Sequence, residues 1–542
     1  MNVADQITDK AIELPYKRAV VMGRKSLFSL HYYYEHYTFI DLEKRINQFS
    51  HRFITSGVKR GDKVLVFVKP SVDFCAYTFS LFKIGAIPVL IDPGMGLKNV
   101  LSSIESIDAR VLLGIPAAHA VARIFKKKFK SIEIFLCTSE FSVFSKSMTR
   151  KIDSEISLFD AVDMNSEDTA AILFTSGGTG VPKGVVYTHN IFIEQTSLLK
   201  TAFGLTSDDI DIPGFPLFAL FTLSMGMTSI IPDMNPSKPG KSDPKKLLKN
   251  IMDHGATFVA GSPAIWKKLA DHCLEHRITL PSIKYLVMFG APIPVELHHK
   301  FKKILPSGTT YTPYGATECL PVCNISGRAI LNNHADNILS GNGTCIGQPL
   351  SEVNVEIIEF VEGIVDSTNF KVLETGEIGE IVVQSKVATR SYYNLPVKTE
   401  HGKIELNDAF YHRMGDMGYF DEQGNIWFCG RASHFFKIGS KKFFPILFET
   451  VINQHSLIEK SALIKNTNKA KFVIQRIDKK TTMSDQEKSA FDQELKEIVN
   501  DSQFKNFKFD YYLHKELPVD VRHNIKIDRI ALTLWAQELE EE

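Results

Sequence analysis

The stretch from Ala171 to His189, AILFTSGGTGVPKGVVYTH, decides the fold of this chain. Its first four residues are apolar and predict a buried strand, and Val185 to Tyr187 predict a second short strand. The turn between them, from Thr175 to Gly180, holds three glycines, which let the backbone approach a ligand closely. Successive backbone N–H groups in such a turn, with nearby hydroxyls and Lys183, suit phosphate oxygens. The stretch therefore predicts a phosphate-binding loop between two strands.

This stretch has two other possible interpretations. A Walker A loop is excluded, because no glycine directly precedes Lys183 and no serine or threonine follows it. A glycine-rich hairpin without a ligand would be favoured by the Gly-Gly pair alone. The full string from Thr175 to Gly184 is more specific, since it combines glycines, hydroxyls and a lysine.

Composition limits the class of protein. The chain has 542 residues, which suggests a large domain plus a smaller one. Its 63 basic side chains nearly balance its 62 acidic ones, which argues against nucleic-acid binding. Seven cysteines are scattered without a paired motif, and residues 1–18 lack an apolar signal stretch, so we expect a reducing cytoplasmic location and no structural metal. The lysines between 126 and 130 predict a solvated helix face and leave open a weak membrane-surface contact.

The segment from Ile212 to Pro232 carries no charge and is about as long as a transmembrane helix. Prolines and glycines inside it break a helix, however. We therefore expect no transmembrane span here, and instead a buried segment that lines an apolar pocket.

Strand and helix patterns alternate along the N-terminal half of the chain. A helix from Thr38 to Gly57 precedes a strand at 63–68, a second helix and a strand at 87–92, which is typical of a doubly wound α/β fold with parallel sheets. Residues 351–360, 379–384 and 426–431 alternate like strands of a separate β-rich subdomain. From residue 431 onward we expect a small, mobile α+β domain, which divides the chain into domains 1–430 and 431–542.

The string TSGGTGVPKG resembles the phosphate-loop signature of the adenylate-forming superfamily, which includes acyl-CoA synthetases, peptide-synthetase adenylation domains and luciferases. The family pattern is Thr-Ser-Gly-Ser/Thr-Thr-Gly-x-Pro-Lys-Gly, and Gly178 replaces one hydroxyl residue here. Four further segments resemble family motifs in the expected order: YTPYGATE at 311–318, YHRMGD at 411–416, the pair Gly430-Arg431, and LPVDVRHNIKIDR at 517–529. Together the motifs extend the resemblance over roughly residues 30–535.

The resemblance implies the roles of specific residues. Tyr314 would pack on adenine, Thr317 would contact the α-phosphate, and Glu318 would bind Mg²⁺. Asp416 would hold the ribose hydroxyls, and Lys526 would be the catalytic lysine that bridges the attacking carboxylate and the α-phosphate. The remaining residues implied in binding ATP are Thr175, Ser176, Gly177, Gly178, Thr179, Gly180, Lys183, Gly290, Ala291, Pro292, Gly315 and Arg431.

Three departures from the family pattern concern the reaction step that follows formation of the adenylate. The family hinge, usually Asp or Lys, is Ser433, and the glycine that usually precedes the catalytic lysine is Ile525. In thioester-forming members the loop after the hinge helps to form the pantetheine channel. The loop from Ser433 to Pro445 is also one residue longer than the usual pattern, so a need for CoA is in doubt.

The substrate side favours a lipid. No acid lies between Pro213 and Pro232, whereas amino-acid-activating members pair an aspartate near there with the substrate ammonium. The candidates for an acyl pocket, some of which are core residues, are Phe215, Leu217, Phe218, Leu220, Phe221, Leu223 and Met225.

Longer strings resemble one branch, the β-lactone synthetases of bacterial long-chain olefin biosynthesis; they include IDPGMG at 91–96, FPLFALF at 215–221 and IIPDMNPSKP at 230–239. This implies that a β-hydroxy fatty acid is activated by Mg–ATP and that its own hydroxyl closes a lactone. A fatty-acyl-CoA ligase or a ligase that loads an acyl-carrier protein is the nearer alternative, and a non-catalytic nucleotide-binding relative is the second. No base for the hydroxyl can be chosen among His189, His412, His434 and His523.

Overall fold

The structure is a computed structural model, and it describes residues 1–25, 32–140, 145–148, 158–175, 182–406, 409–519 and 527–541. Three large sheets and a smaller C-terminal sheet organise these residues.

Sheet 1 has seven strands and contains the two strands predicted around the phosphate loop. Its strands are parallel except for the last pair, which is antiparallel. In spatial order they are Lys146–Ser147, Ile134–Cys137, Val111–Gly114, Lys63–Phe67, Ile87–Ile91, Thr169–Thr175 and Lys183–Thr188.

Sheet 2 repeats this arrangement, with seven strands that are parallel except for an antiparallel pair at one edge. Its strands in spatial order are Thr309–Tyr311, Tyr285–Met288, Phe258–Gly261, Ile210–Pro213, Thr228–Ile231, Arg18–Lys25 and Tyr32–Thr38. The prediction of a doubly wound α/β fold is therefore confirmed.

Sheet 3 is antiparallel and forms the predicted β-rich region. Its strands are Thr344–Gly347, Ile426–Arg431, Ala409–Phe420, Gly379–Ser385 and Val353–Ile358, with Lys403–Leu406 beside the third of these. Two hairpins accompany it, Tyr314–Ala316 with Cys319–Cys323 and Phe436–Ile438 with Lys441–Phe443.

The C-terminal region has a three-stranded sheet of Ile458–Asn466, Lys469–Arg476 and Asp510–Leu513, with helices Pro445–Ile452, Asp485–Asn500 and Arg529–Glu541. It contacts the rest of the chain through the amide of Gln454, which donates to the carbonyl of Leu339 at 2.7 Å. The cleft described below is lined from both sides of this boundary.

The helices of the N-terminal part follow local signals in the sequence. Helix Phe39–Thr55 begins at a capping box formed by Thr38 and Asp41 and buries one apolar face. The other α-helices are Asp5–Glu13, Val72–Lys83, Leu97–Ile107, Pro116–Ile124, His189–Phe203, Phe218–Ser224, Pro244–His254, Pro263–Glu275, Val295–Ile304, Gly327–Ala329, Ala335–Leu339 and Pro396–Gly402. Short 3₁₀ turns at Pro93–Met95, Lys126–Phe129, Pro239–Lys241 and Ala432–His434 and a π turn at Ile330–His334 complete these elements.

The uncharged segment 212–232 is not one helix. It contains the end of strand Ile210–Pro213, helix Phe218–Ser224 and strand Thr228–Ile231, because its prolines and glycines interrupt regular structure. Within the described part of the chain, no helix is both long and apolar enough to cross a membrane.

Candidate active site

A cleft of about 4720 Å³ runs along the carboxyl ends of the parallel strands of sheets 1 and 2. Ligands of α/β proteins commonly bind at this edge, where loops follow the strands. The cleft is lined by every predicted site residue that the structure describes: Thr175, Lys183, Gly290, Ala291, Pro292, Tyr314, Gly315, Thr317, Glu318, Asp416 and Arg431. Ser176, Gly177, Gly178, Thr179, Gly180 and Lys526 lie outside the described residues.

The two stems of the phosphate loop are paired. Thr175 lies opposite Lys183 in the antiparallel register, so a hydroxyl and a cation stand together at the base of the loop. The Nζ atom of Lys183 lies 4.7 Å from the ring centre of Tyr392. Burial lowers the pKa of Lys183, and the nearby Glu318 carboxylate acts in the opposite direction.

The YGATE segment turns sharply between two short strands. A Cβ atom at Gly315 would lie 2.7 Å from the Cβ of Leu320 and 2.8 Å from the carbonyl oxygen of Cys319, so only glycine fits there. The hydroxyl of Tyr187 donates to the carbonyl of Thr317 at 2.6 Å. The strand after the phosphate loop thereby fixes the backbone of this turn.

Asp416 is held between two side chains from different segments. Its Oδ2 accepts a hydrogen bond from the Tyr314 hydroxyl at 2.6 Å, and its Oδ1 lies 3.0 Å from the Arg431 guanidinium. Asp416 raises the pKa of Arg431, and burial raises that of Tyr314, so both remain donors. A carboxylate has about four acceptor positions, so Asp416 can also accept from ribose hydroxyls.

The turn from Gly290 to Pro292 follows strand Tyr285–Met288 of sheet 2. Gly290 has φ of 91°, a left-handed conformation that favours glycine. The preceding Phe289 packs against Phe218, with ring centres 4.8 Å apart. This turn therefore separates the polar part of the cleft from an apolar part.

The apolar part divides the predicted acyl-pocket residues into two groups. Phe215, Leu217, Phe218 and Phe221 line the cleft. Leu220, Leu223 and Met225 are the candidates that belong to the core, because they lie on the opposite side of helix Phe218–Ser224 or just after it. Further lining residues come from other elements and were not predicted; they include Phe192, Leu199, Phe203, Phe258, Val287 and Phe289.

One carboxylate stands close behind the apolar part. Asp211 is fully buried, and its Oδ2 accepts a hydrogen bond from the Thr222 hydroxyl at 2.7 Å. Burial raises the pKa of Asp211 to about 7. The residue lies just before the acid-free segment, and it is not among the residues that line the cleft.

Several residues around Glu318 were missed by the sequence analysis. The Tyr392 hydroxyl donates to Glu318 Oε1 at 2.9 Å, and Thr389 donates to the Glu318 carbonyl through its backbone N–H at 2.8 Å and its hydroxyl at 3.1 Å. Behind them, Lys403 Nζ lies 3.2 Å from His412 Nδ1, and burial lowers the pKa of Lys403 to about 8. The string ATRSYYNLP at 388–396, between two recognised motifs, was the available signal.

The histidines considered as bases occupy different environments. His189 accepts a hydrogen bond at Nδ1 from the backbone N–H of Val3 and does not line the cleft. His412 and His434 do line the cleft, and burial lowers the pKa of both, that of His434 to about 4. His523 lies outside the described residues.

The ends of the predicted catalytic-lysine loop are fixed. Val519 pairs with Ile527 in an antiparallel bridge, and both residues line the cleft. Arg529 forms two hydrogen bonds with the buried Glu449, at 2.5 and 2.8 Å. Both ends of the segment that holds Lys526 are thus anchored at the rim of the cleft.

The loop after Ser433 is built from aromatic pairs. Phe435 packs on Phe444 and Phe436 on Phe443, each pair with ring centres 5.1 Å apart. These rings pack in the core of the C-terminal region, which gives the loop from Ser433 to Pro445 a structural role.

Comparison with known proteins gives consistent results. A family model described as AMP-binding enzyme matches residues 11–393. The olefin beta-lactone synthetase of Xanthomonas campestris pv. campestris is 33% identical, over 92% of this chain and 90% of that protein. The protein of the same name from Stenotrophomonas maltophilia is 36% identical, over 89% of this chain and 87% of that protein. The solved O-succinylbenzoate Coenzyme A synthetase of Bacillus subtilis, in complex with ATP and magnesium ion, has the same fold with a TM-score of 0.75 at 19% identity, covering 97% of this chain and 98% of that one.

Proposed function

The chain belongs to the AMP-binding enzyme family and is an ATP-dependent adenylate-forming enzyme, and from that premise we propose that it converts a β-hydroxy fatty acid to a β-lactone. The observation that carries this proposal is the similarity to two olefin beta-lactone synthetases, at 33% and 36% identity over about nine tenths of the chain. The apolar part of the cleft, with four aromatic or aliphatic residues of segment 215–221, supports an acyl substrate.

In the first half-reaction, a carboxylate oxygen of the fatty acid attacks the α-phosphorus of ATP. A new phosphorus–oxygen bond forms, the bond to the bridging oxygen breaks, and pyrophosphate leaves with the electron pair. Thr317 would contact the α-phosphate, and the cation of Lys526 would offset the negative charge that develops there. Lys183 and the loop from Thr175 to Gly180 would hold the other phosphates.

Glu318 fits a ligand of Mg²⁺, because its carboxylate lines the cleft beside Thr317 and oxygen is the ligand atom that Mg²⁺ prefers. Bound there, Mg²⁺ would supply positive charge that offsets the charge of the phosphates. Asp416 and Arg431 would hold the ribose, and Tyr314 with Gly290, Ala291, Pro292 and Gly315 would surround the adenine.

In the second half-reaction, the β-hydroxyl oxygen attacks the acyl carbon of the adenylate. The bond between that carbon and the phosphate oxygen breaks, AMP leaves, and the hydroxyl proton passes to a base. The nucleophile belongs to the same molecule, which gives it a large advantage in effective concentration over an external thiol. This step needs no CoA. That agrees with Ser433 at the hinge, where the family usually has Asp or Lys, and with Ile525, where the family usually has glycine.

The chain would act through two domains, residues 1–430 and 431–542. Sheet 3 ends at Arg431, and the three-stranded C-terminal sheet begins at Ile458. Arg431 itself contacts Asp416, so the proposed boundary lies at the cleft. The C-terminal domain would carry Lys526 to the α-phosphate.

Thioester formation is the second candidate function, and the shared fold with a Coenzyme A synthetase favours it. Mass spectrometry of products separates the two. The full chain is incubated with Mg–ATP and a long-chain β-hydroxy fatty acid, with and without CoA, and the matched acid without a hydroxyl serves as the control. We expect a lactone and free AMP without CoA from the hydroxy acid, and an acyl-adenylate without AMP release from the control acid. An acyl-CoA formed only with CoA would overturn the proposal.

A further inference from the structure

We propose that Tyr392 is a positioning residue that sets the orientation of Glu318 and so the affinity of the site for Mg²⁺. This rests on the proposed role of Glu318 as a Mg²⁺ ligand. Tyr392 belongs to none of the five motifs on which the family resemblance was based.

The backbone of Tyr392 is tied to the strand that carries Lys183. Tyr392 pairs with Val185 in an antiparallel bridge, and the N–H of Tyr393 donates to the carbonyl of Gly184 at 2.8 Å. The N–H of Tyr392 also donates to the Thr399 hydroxyl at 3.0 Å. The segment therefore extends sheet 1 beside the phosphate loop, in a fixed register.

The side chain of Tyr392 is packed on both faces as well as bonded at its end. A Cβ atom at Gly402 would lie 3.3 Å from the ring, and the side chain is only 6% exposed. The Nζ atoms of Lys183 and Lys403 lie 4.7 and 5.7 Å from the ring centre. The hydroxyl of this packed ring donates to Glu318 Oε1 at 2.9 Å.

Glu318 is thus held at two points by one short segment. Thr389 binds its backbone carbonyl and Tyr392 binds its carboxylate. Partners that orient a ligating carboxylate change metal affinity by about ten- to hundredfold when they are removed.

The test measures binding without acyl substrate, and so is independent of the product formed. Mg²⁺ is titrated calorimetrically into the full chain saturated with a non-hydrolysable α,β-methylene ATP, for wild type, Tyr392→Phe and the neighbouring control Tyr393→Phe. We expect about ten- to hundredfold weaker Mg²⁺ binding for Tyr392→Phe only, with nucleotide affinity in EDTA unchanged within about twofold. Equal Mg²⁺ affinity for Tyr392→Phe and wild type would overturn the inference, as would an equal loss of nucleotide binding in EDTA.

Glu318→Gln distinguishes this inference from the function on which it rests. If Glu318→Gln leaves Mg²⁺ binding intact, the metal assignment of the proposed function is wrong. If Glu318→Gln weakens binding and Tyr392→Phe does not, only the role of Tyr392 is wrong. In the Glu318→Gln background, Tyr392→Phe should have a clearly smaller effect, because the two side chains act through one bond. Additive effects of the two substitutions on Mg²⁺ affinity would contradict the positioning role. This comparison remains valid if either variant is less stable than wild type.

Discussion

The polar and apolar parts of the cleft are built in different ways. In the polar part, two predicted carboxylates have specific side-chain partners from other segments: Asp416 has Tyr314 and Arg431, and Glu318 has Tyr392. In the apolar part, rings such as Phe218 and Phe289 pack without directional bonds. We therefore expect directional bonds to specify the ligand of the polar part and volume to specify that of the apolar part, so single substitutions should have larger effects in the polar part.

The largest effect is expected for Lys526→Ala, which removes the cation proposed to act at the α-phosphate. Adenylation, measured by pyrophosphate exchange, should fall by about 10²- to 10³-fold while ATP still binds. Lys515→Ala, an exposed lysine in the same region, is the control. Unchanged exchange in Lys526→Ala would mean that another lysine is catalytic.

Asp416→Asn tests whether the polar part depends on paired charges. The variant keeps an acceptor for Tyr314 but loses the charge that faces Arg431, so the KM for ATP should rise by about ten- to hundredfold. The KM for the fatty acid should change much less. Glu422→Gln, at an exposed position on the next turn, should leave both constants unchanged. A KM for ATP equal to wild type would place the ribose elsewhere.

Asp211→Asn tests the one polar contact identified behind the apolar part. Because burial raises the folded-state pKa of Asp211 to about 7, the protonated form stabilises the fold, and this contribution is complete below the unfolded pKa and lost as pH rises toward 7. Wild type should therefore lose up to about 1.4 kcal/mol of unfolding free energy per pH unit between about pH 4 and 7.

Asp211→Asn keeps an acceptor for Thr222 and removes the ionisation, so this loss should be absent. Urea unfolding at several pH values measures the difference between the two proteins. Thr222→Val, which removes the hydrogen bond but not the carboxyl, should retain the pH dependence. Parallel curves for wild type and Asp211→Asn would show that Asp211 ionises normally.

The smallest effect per step is expected for Phe218→Ala, which enlarges the apolar part. Each methylene of the acyl chain contributes about 0.8 kcal/mol when it is buried, which corresponds to about fourfold in kcat/KM. The ratio of kcat/KM for longer or bulkier acids to that for shorter acids should therefore rise by about this factor per methylene. The KM for ATP should not change. Leu223→Ala, in the same helix but in the core, should lower stability without a change in chain-length preference. A similar shift in both variants would contradict the assignment.

Local elements could be predicted because their signals are local. Helix Phe39–Thr55 begins at the Thr38 capping box, and helix Asp485–Asn500 begins at a second capping box, which Ser484 and Glu487 form. The division of segment 215–225 into lining and core residues could not be predicted. Leu220 and Phe221 are neighbours of equal hydrophobicity, and only the position of sheet 2 decides which side chain meets the cleft.

By itself, the sequence determined the α/β architecture, the family and the order of the motifs, because hydrophobic periodicity, capping residues and short phosphate-binding strings are encoded within a few neighbouring positions. Only the tertiary structure decided which side chains hold the site in place. Tyr392 and Glu318 are 74 residues apart in the chain, and Tyr314 and Asp416 are 102 apart. Such contacts depend on how strands of different sheets are placed in three dimensions, which no local pattern in one sequence records.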